Sequence, residues 1–302
     1  AAARLMGVKW LSVPSVLHSL SAPVLSLLLV FRTNAAYDRW WEARKTWGKL
    51  YAVSRNFVRM AATYIGDRQS LHRICSCLCA FPELMRLDLT RRNPMTKPEA
   101  VQNTCASAAM SSADTDIVLN ADRNALACCR VLGNAVHDYF SKPVQLTNNS
   151  DPTSAAHAAV QLGLQRQNLE VQVSSLSDCL GICERILNAP VPYSYSRHTS
   201  RFLTVWLGSM PLGLAPLVPP LWLPFMSLVM SWMFLSVEEI GHIIEEPFNV
   251  PGASSSTPQH PRTSLNMDKI SDNIVCEVLE IVPDHPAEPV LREFELREGP
   301  PE

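Results

Sequence analysis

A disulfide framework is absent from this 302-residue chain. Nine cysteines are present but scattered; Cys75, Cys77, Cys79, Cys128, Cys129, Cys179 and Cys183 all fall in helical patterns, which in a chain of this length points to free thiols. The CSCLC run at 75–79 offers no tetrahedral metal site, because on a helix Cys75 and Cys79 share a face and Cys77 points away. There is no Gly-rich phosphate loop, no nucleophile elbow and no His-Glu metalloprotease motif. No catalytic constellation remains, so neither an enzyme nor a resident cofactor or metal is expected. No internal repeat is visible. The opening AAARLMGVKW lacks a charged region followed by a cleavage site. The net charge of -2 excludes nothing by itself, since a near-neutral sum can hide a basic pore and an acidic tail, but no feature suggests nucleic acid.

Charge is also missing locally, and there the absence is informative. No charged residue occurs from Trp10 to Phe31, a run long enough to cross a hydrocarbon core of about 30 Å at about 1.5 Å per residue. None occurs over the 36 positions from Phe202 to Val237 either. As one helix that second run would be about 54 Å long, too much for a single crossing. Pro211, Pro216, Pro219, Pro220 and Pro224 interrupt it, so it reads as two membrane helices, or a hairpin, cornered at Pro216–Pro220. The composition, 47% apolar with those residues clumped, is a membrane pattern.

What is there is almost entirely helical in period, and the fold class expected is all-α. Between Val24 and Trp47 there is no Pro or Gly, so the first span continues as one helix through Arg32, Asp38, Arg39, Glu42, Arg44 and Lys45, to about residue 65, where Gly66-Asp67 breaks it. Further helices are expected at 68–88, 121–140, 155–188 and 265–281, the third of these ending at Pro190 and Pro192. The Ala/Ser/Thr-rich stretch at about 91–120 has little to bury and reads as a solvated loop or disordered insert. Four segments follow: 1–66, a membrane helix with its soluble extension; 67–200, a soluble helical region carrying the insert; 201–248, a membrane hairpin and following helix; and 249–302, a loop, an amphipathic helix and an acidic tail.

Three stretches carry a resemblance. FRTNAAYDRWWEARKTWG (31–48), EEIGHIIEEPF (238–248) and, more loosely, ERILNAPVPYSYSRH (184–198) resemble the bestrophin family, in particular its bacterial and chloroplast branch. The resemblance implies a homopentameric membrane channel that passively conducts chloride, and bicarbonate or nitrate as well, with a thylakoid location and an algal source. It also implies a membrane helix ahead of the first one seen here. In such channels the second membrane helix lines the pore through a hydrophobic neck of three positions spaced by four, which match Pro23, Leu27 and Phe31. Proline is a departure from the usual neck residue. A second, cytosolic constriction early in the long soluble helix points to Val160 or Leu164.

The same residues have plainer readings. An apolar pair four apart on a membrane helix is ordinarily lipid-facing or packed, and a charge run is ordinarily a solvated face. Repeated around an axis, Arg32 and Arg39 would instead form basic rings that attract anions. Arg32 sits at the membrane boundary, where snorkelling is the simpler role. Glu238, Glu239, Glu245 and Glu246 have carboxylates suited to Ca²⁺. The acidic run that completes a calcium clasp in animal bestrophins is absent after Pro247-Phe248, so the glutamates are expected to form intersubunit pairs, with Arg39 or Arg44 as partners. His18, within the first span, is expected to be a hydrogen-bonded packing residue rather than a pH sensor. The expected partners are monovalent anions, membrane lipid and further copies of the chain. The competing reading is a non-conducting membrane scaffold of the same fold.

Overall fold

The computed structural model describes residues 15–90, 97–142, 152–189, 193–248, 265 and 267–287. Among these residues every regular element is a helix. They run α1 (Ser15–Tyr64), α2 (Arg68–Leu89), α3 (Lys97–Ser107), α4 (Ser112–Leu119), α5 (Asn124–Phe140), α6 (Pro152–Asn188), α7 (Tyr193–Leu214), α8 (Leu223–Glu245) and α9 (Met267–Ile281). Two compact units divide the chain, one of residues 1–42 with 188–247, the other of 43–187 with 248–302. The division differs from the segments drawn on sequence because α1 is continuous for 50 residues and serves both units.

In the first unit, α7 and α8 are antiparallel neighbours joined across residues 215–222. The prolines there end both helices. Backbone bonds within the corner, Leu217 N to Leu214 O at 2.9 Å and Trp222 N to Pro219 O at 3.0 Å, satisfy groups that a membrane interior leaves without water. Pro224 then sits in the first turn of α8, where its missing N–H costs nothing. Leu25 and Leu29 of α1 pack against Leu203, Trp206, Leu207 and Met210 of α7, with Phe234 of α8 against the same cluster. The Trp206 and Phe234 rings meet edge-on at 5.3 Å. Trp206 Nε1 donates to Ser21 Oγ at 2.9 Å, and His18 Nε2 lies 3.0 Å from Ser209 Oγ with its ring tilted against that of Trp206 at 5.5 Å. His18 is therefore a packed, hydrogen-bonded residue. Helices α1 and α8 are long and apolar enough to cross a membrane.

The second unit is built around α2, which is buried on nearly all sides because α3, α5 and α9 all pack on it. Asp67 caps it by accepting from Gln69 N and Ser70 N. Small residues make the close packing possible. Cys75, Cys77 and Cys79 are buried free thiols, and Cys128 Sγ donates to Cys77 O at 3.2 Å. Burial pushes the Cys75 thiol up to about 12, so it stays protonated.

The expected insert needs correcting. Residues 91–96 lie outside the described residues, but 97–119 form α3 and α4, which pack with Val101, Cys105 and Val118 buried. Composition misled because Ala, Ser, Thr and Cys give a weak apolar signal yet let helices approach closely. A charge contact adds to this: Arg73 holds the buried Asp114 with two bonds, of 2.8 and 2.9 Å, and Ser111 caps α4 beside it. The turn between α3 and α4 places Ala109 at φ 56°, while Met110 N bonds to Cys105 O at 3.0 Å.

Candidate functional site

Helix α1 has two faces of opposite character within the first unit. Leu25, Leu29, Arg32 and Ala36 are buried, and at 100° per residue they fall along one line. Leu27 and Phe31 are more than half exposed. With Asn34, Asp38 and Trp41, also exposed, they form a stripe centred about 180° from the buried one. Pro23 is exposed at the start of that stripe. Its ring interrupts α1 without ending it. The three residues matched to a neck thus share one open face. The stripe begins apolar and turns polar at Asn34, about one turn beyond Phe31.

Arg32 departs from expectation. It is 5% exposed and points away from the open stripe. Its guanidinium donates to Glu238 and to Ser200 Oγ at 3.2 Å, and lies 3.6 Å from Glu245. Ser200 also donates to Glu238, and Ser196 donates to Glu245 at 3.2 Å. The anion-attracting role is corrected: a charge already matched by two carboxylates and buried between helices is not offered to a passing ion. Arg39 has the same orientation. It is half-buried, and it donates to the Ala189 carbonyl and, at 3.4 Å, to the Glu245 carbonyl. Basic side chains at a helix C-terminus are well placed to satisfy such carbonyls.

The glutamates separate into two kinds. Glu238 and Glu245 are partly buried and pair within the chain with Arg32, and Glu245 also attracts Arg39. Glu239 and Glu246 are exposed. All four border a cleft of about 640 Å³ together with Arg32 and His242. Sequence reasoning missed Ser196, Ser200 and Tyr195, whose hydroxyl donates to Leu28 O at 3.2 Å. The signal was available, since Tyr195 and Ser196 belong to the third matched stretch. The three stretches converge here, each supplying one part of a single polar knot.

Val160 and Leu164 are 63% and 57% exposed on α6. Val171 continues their stripe at helical spacing and is 53% exposed, while Leu169, Val173, Leu176 and Leu180 are buried. Val171 was not anticipated, though its spacing of seven from Leu164 announces it.

The family model described as bacterial/fungal bestrophin protein matches residues 1–254. Voltage-dependent chloride channel 1, chloroplastic, of Arabidopsis thaliana is 30% identical over 235 residues, covering 78% of this chain and 51% of that protein. The voltage-dependent anion channel-forming protein YneE of Salmonella typhimurium is 28% identical over 285 residues, covering 92% of this chain and 79% of that protein. The chain thus spans about half the length of the Arabidopsis relative. A crystal structure of a bacterial bestrophin homolog from Klebsiella pneumoniae superimposes with a TM-score of 0.74 at 20% identity, over 94% of this chain and 91% of the other.

Proposed function

The chain belongs to the bestrophin family, and on that premise we propose that it assembles with further copies of itself into a membrane channel that passively conducts anions. The observation that carries the proposal is the open stripe of α1. A helix with one face locked onto α7 and α8 presents Leu27 and Phe31 on the other, where a single chain leaves them unpacked. Brought around an axis by identical copies, the stripe becomes a narrow apolar collar, which gates by dewetting. Phe31 ring edges, which carry the positive part of the aromatic quadrupole, favour an anion over a cation. Pro23, Leu27 and Phe31 form the neck, and Val160 and Leu164 a second constriction. Five copies is the assembly the family resemblance implies, and Glu239 is the glutamate left open to a neighbouring subunit. Chloride is the ion carried most readily, with bicarbonate or nitrate as further substrates. The chloroplastic Arabidopsis relatives support a thylakoid location.

The test is anion flux through purified protein in liposomes, with chloride, bicarbonate and gluconate, beside Phe31→Ala. The expected result is flux of chloride over gluconate that Phe31→Ala increases. Flux equal to that of empty liposomes, from protein shown to be oligomeric, would leave the non-conducting scaffold as the correct reading.

A further inference from the structure

We infer that Asp38 sets the anion throughput of this channel by placing a ring of carboxylates beyond the neck. The inference rests on the proposed role of α1 as the pore-lining helix. Asp38 lies seven residues after Phe31 and eleven after Leu27, so its side chain falls within about 20° of each around the helix and about 10 Å beyond Phe31 along it. It is exposed, and its carboxylate has no hydrogen bond or ion pair among the described residues. Of the neighbouring charges of α1, Lys45 is exposed on the same face but lies about 10 Å beyond Asp38, twice as far from Phe31, and the nearer ones do not neutralise it. Arg32 is buried against Glu238. Arg39 turns toward the Ala189 and Glu245 carbonyls. Glu42, one turn further, is itself acidic and half-buried. Asp38 is therefore the first charge on the open face after the neck, and its sign opposes the ion carried.

Identical copies around an axis multiply that opposition. Five carboxylates about 10 Å from the constriction depress the local anion concentration by about threefold at 0.15 M salt, where the screening length is about 8 Å, and by tenfold or more at 0.01 M, where it is about 30 Å. At 1 M, with about 3 Å of screening, the effect vanishes. The ring also raises the cation share of the current, so Asp38 moderates both rate and selectivity.

The experiment compares wild type, Asp38→Asn, Asp38→Glu, Asp38→Lys and Phe31→Ala in liposomes and planar bilayers, in sodium chloride at 0.01, 0.15 and 1 M. Asp38→Asn is expected to raise chloride flux about threefold at 0.15 M, more at 0.01 M and not at 1 M. Its reversal potential in a salt gradient should shift toward the chloride potential. Asp38→Lys should go further and Asp38→Glu should match wild type. A purely structural effect of the substitution would change flux equally at all three salts and leave selectivity alone, and that result overturns the inference. So does an Asp38→Asn channel identical to wild type while Phe31→Ala is altered, which would leave the channel standing with Asp38 off its path. Absence of flux from wild type would remove the channel reading itself, and the Asp38 ring with it.

Discussion

Arg32 and Glu238 hold each other in a place neither would occupy alone. With Arg32 5% exposed between two carboxylates, removing it leaves both without their cation, at about 3–5 kcal/mol, whereas removing Glu238 leaves Arg32 beside Glu245 and costs less. Arg32→Ala is expected to lower the thermal unfolding temperature of detergent-solubilised protein sharply and Glu238→Ala by less, whereas Arg32→Met with Glu238→Leu should recover part of the Arg32→Ala loss, Glu245 remaining; equal losses in Arg32→Ala and the double variant would contradict this. His285 illustrates a milder constraint. Its Nε2 donates toward Ser76 Oγ and His72 O, both at 3.1 Å, and its Nδ1 accepts from Ala287 N at 3.2 Å, so the neutral ring uses both nitrogens. Burial, with His72 beside it, holds its pKa below the ordinary value. The folded value being the lower one, its contribution is full above about pH 6.5 and fades as pH falls through the folded pKa. His285→Gln should therefore flatten the acid limb of unfolding temperature against pH, and an unchanged limb would refute the assignment. Sequence spacing placed Leu27 and Phe31 on one face, but it did not say that Arg32 faces the other way. Leu25 and Leu29, seven and three residues before it, mark that stripe, yet only the packing of α7 shows that the stripe is the inside.

Element boundaries follow rules that sequence carries plainly. Gly66-Asp67 ends α1 and caps α2, and the corner at 215–222 falls where prolines cluster within an uncharged run. Helices α3 and α4 were hidden, since their stabilisation comes from contacts across the chain, such as Arg73 with Asp114, that no local window contains. The turn between them gives a direct test. Ala109 adopts φ 56°, a region in which a Cβ costs about 1–2 kcal/mol and glycine is unstrained. Part of that gain is returned through the greater freedom of glycine in the unfolded chain. Ala109→Gly is expected to stabilise the second unit by about 0.5–1 kcal/mol in thermal unfolding, and a destabilised variant would show that the turn is relaxed as it stands.

At the scale of the whole molecule, the dominant property is exposed apolar surface. Leu20, Val24, Leu27 and Phe31 on α1 and Phe225, Leu228, Trp232 and Leu235 on α8 are all about half exposed or more. Surface of that extent is covered by lipid, by other copies of the chain, or by both. On the proposed function, one part of it, the Leu27–Phe31–Asn34 stripe, is covered by neither and lines the path of the ion. Single cysteines at Leu27, Phe31 and Asn34, and at the buried Leu25, Leu29 and Ala36, test this directly with a small charged thiol reagent applied during anion flux. Eight of the nine native cysteines are buried, so a Cys276→Ser background leaves little competing reactivity. The reagent is expected to alter flux at positions 27, 31 and 34 and to leave it unchanged at 25, 29 and 36. Modification that acts on the second set, or on neither while flux is present, would place the pore elsewhere.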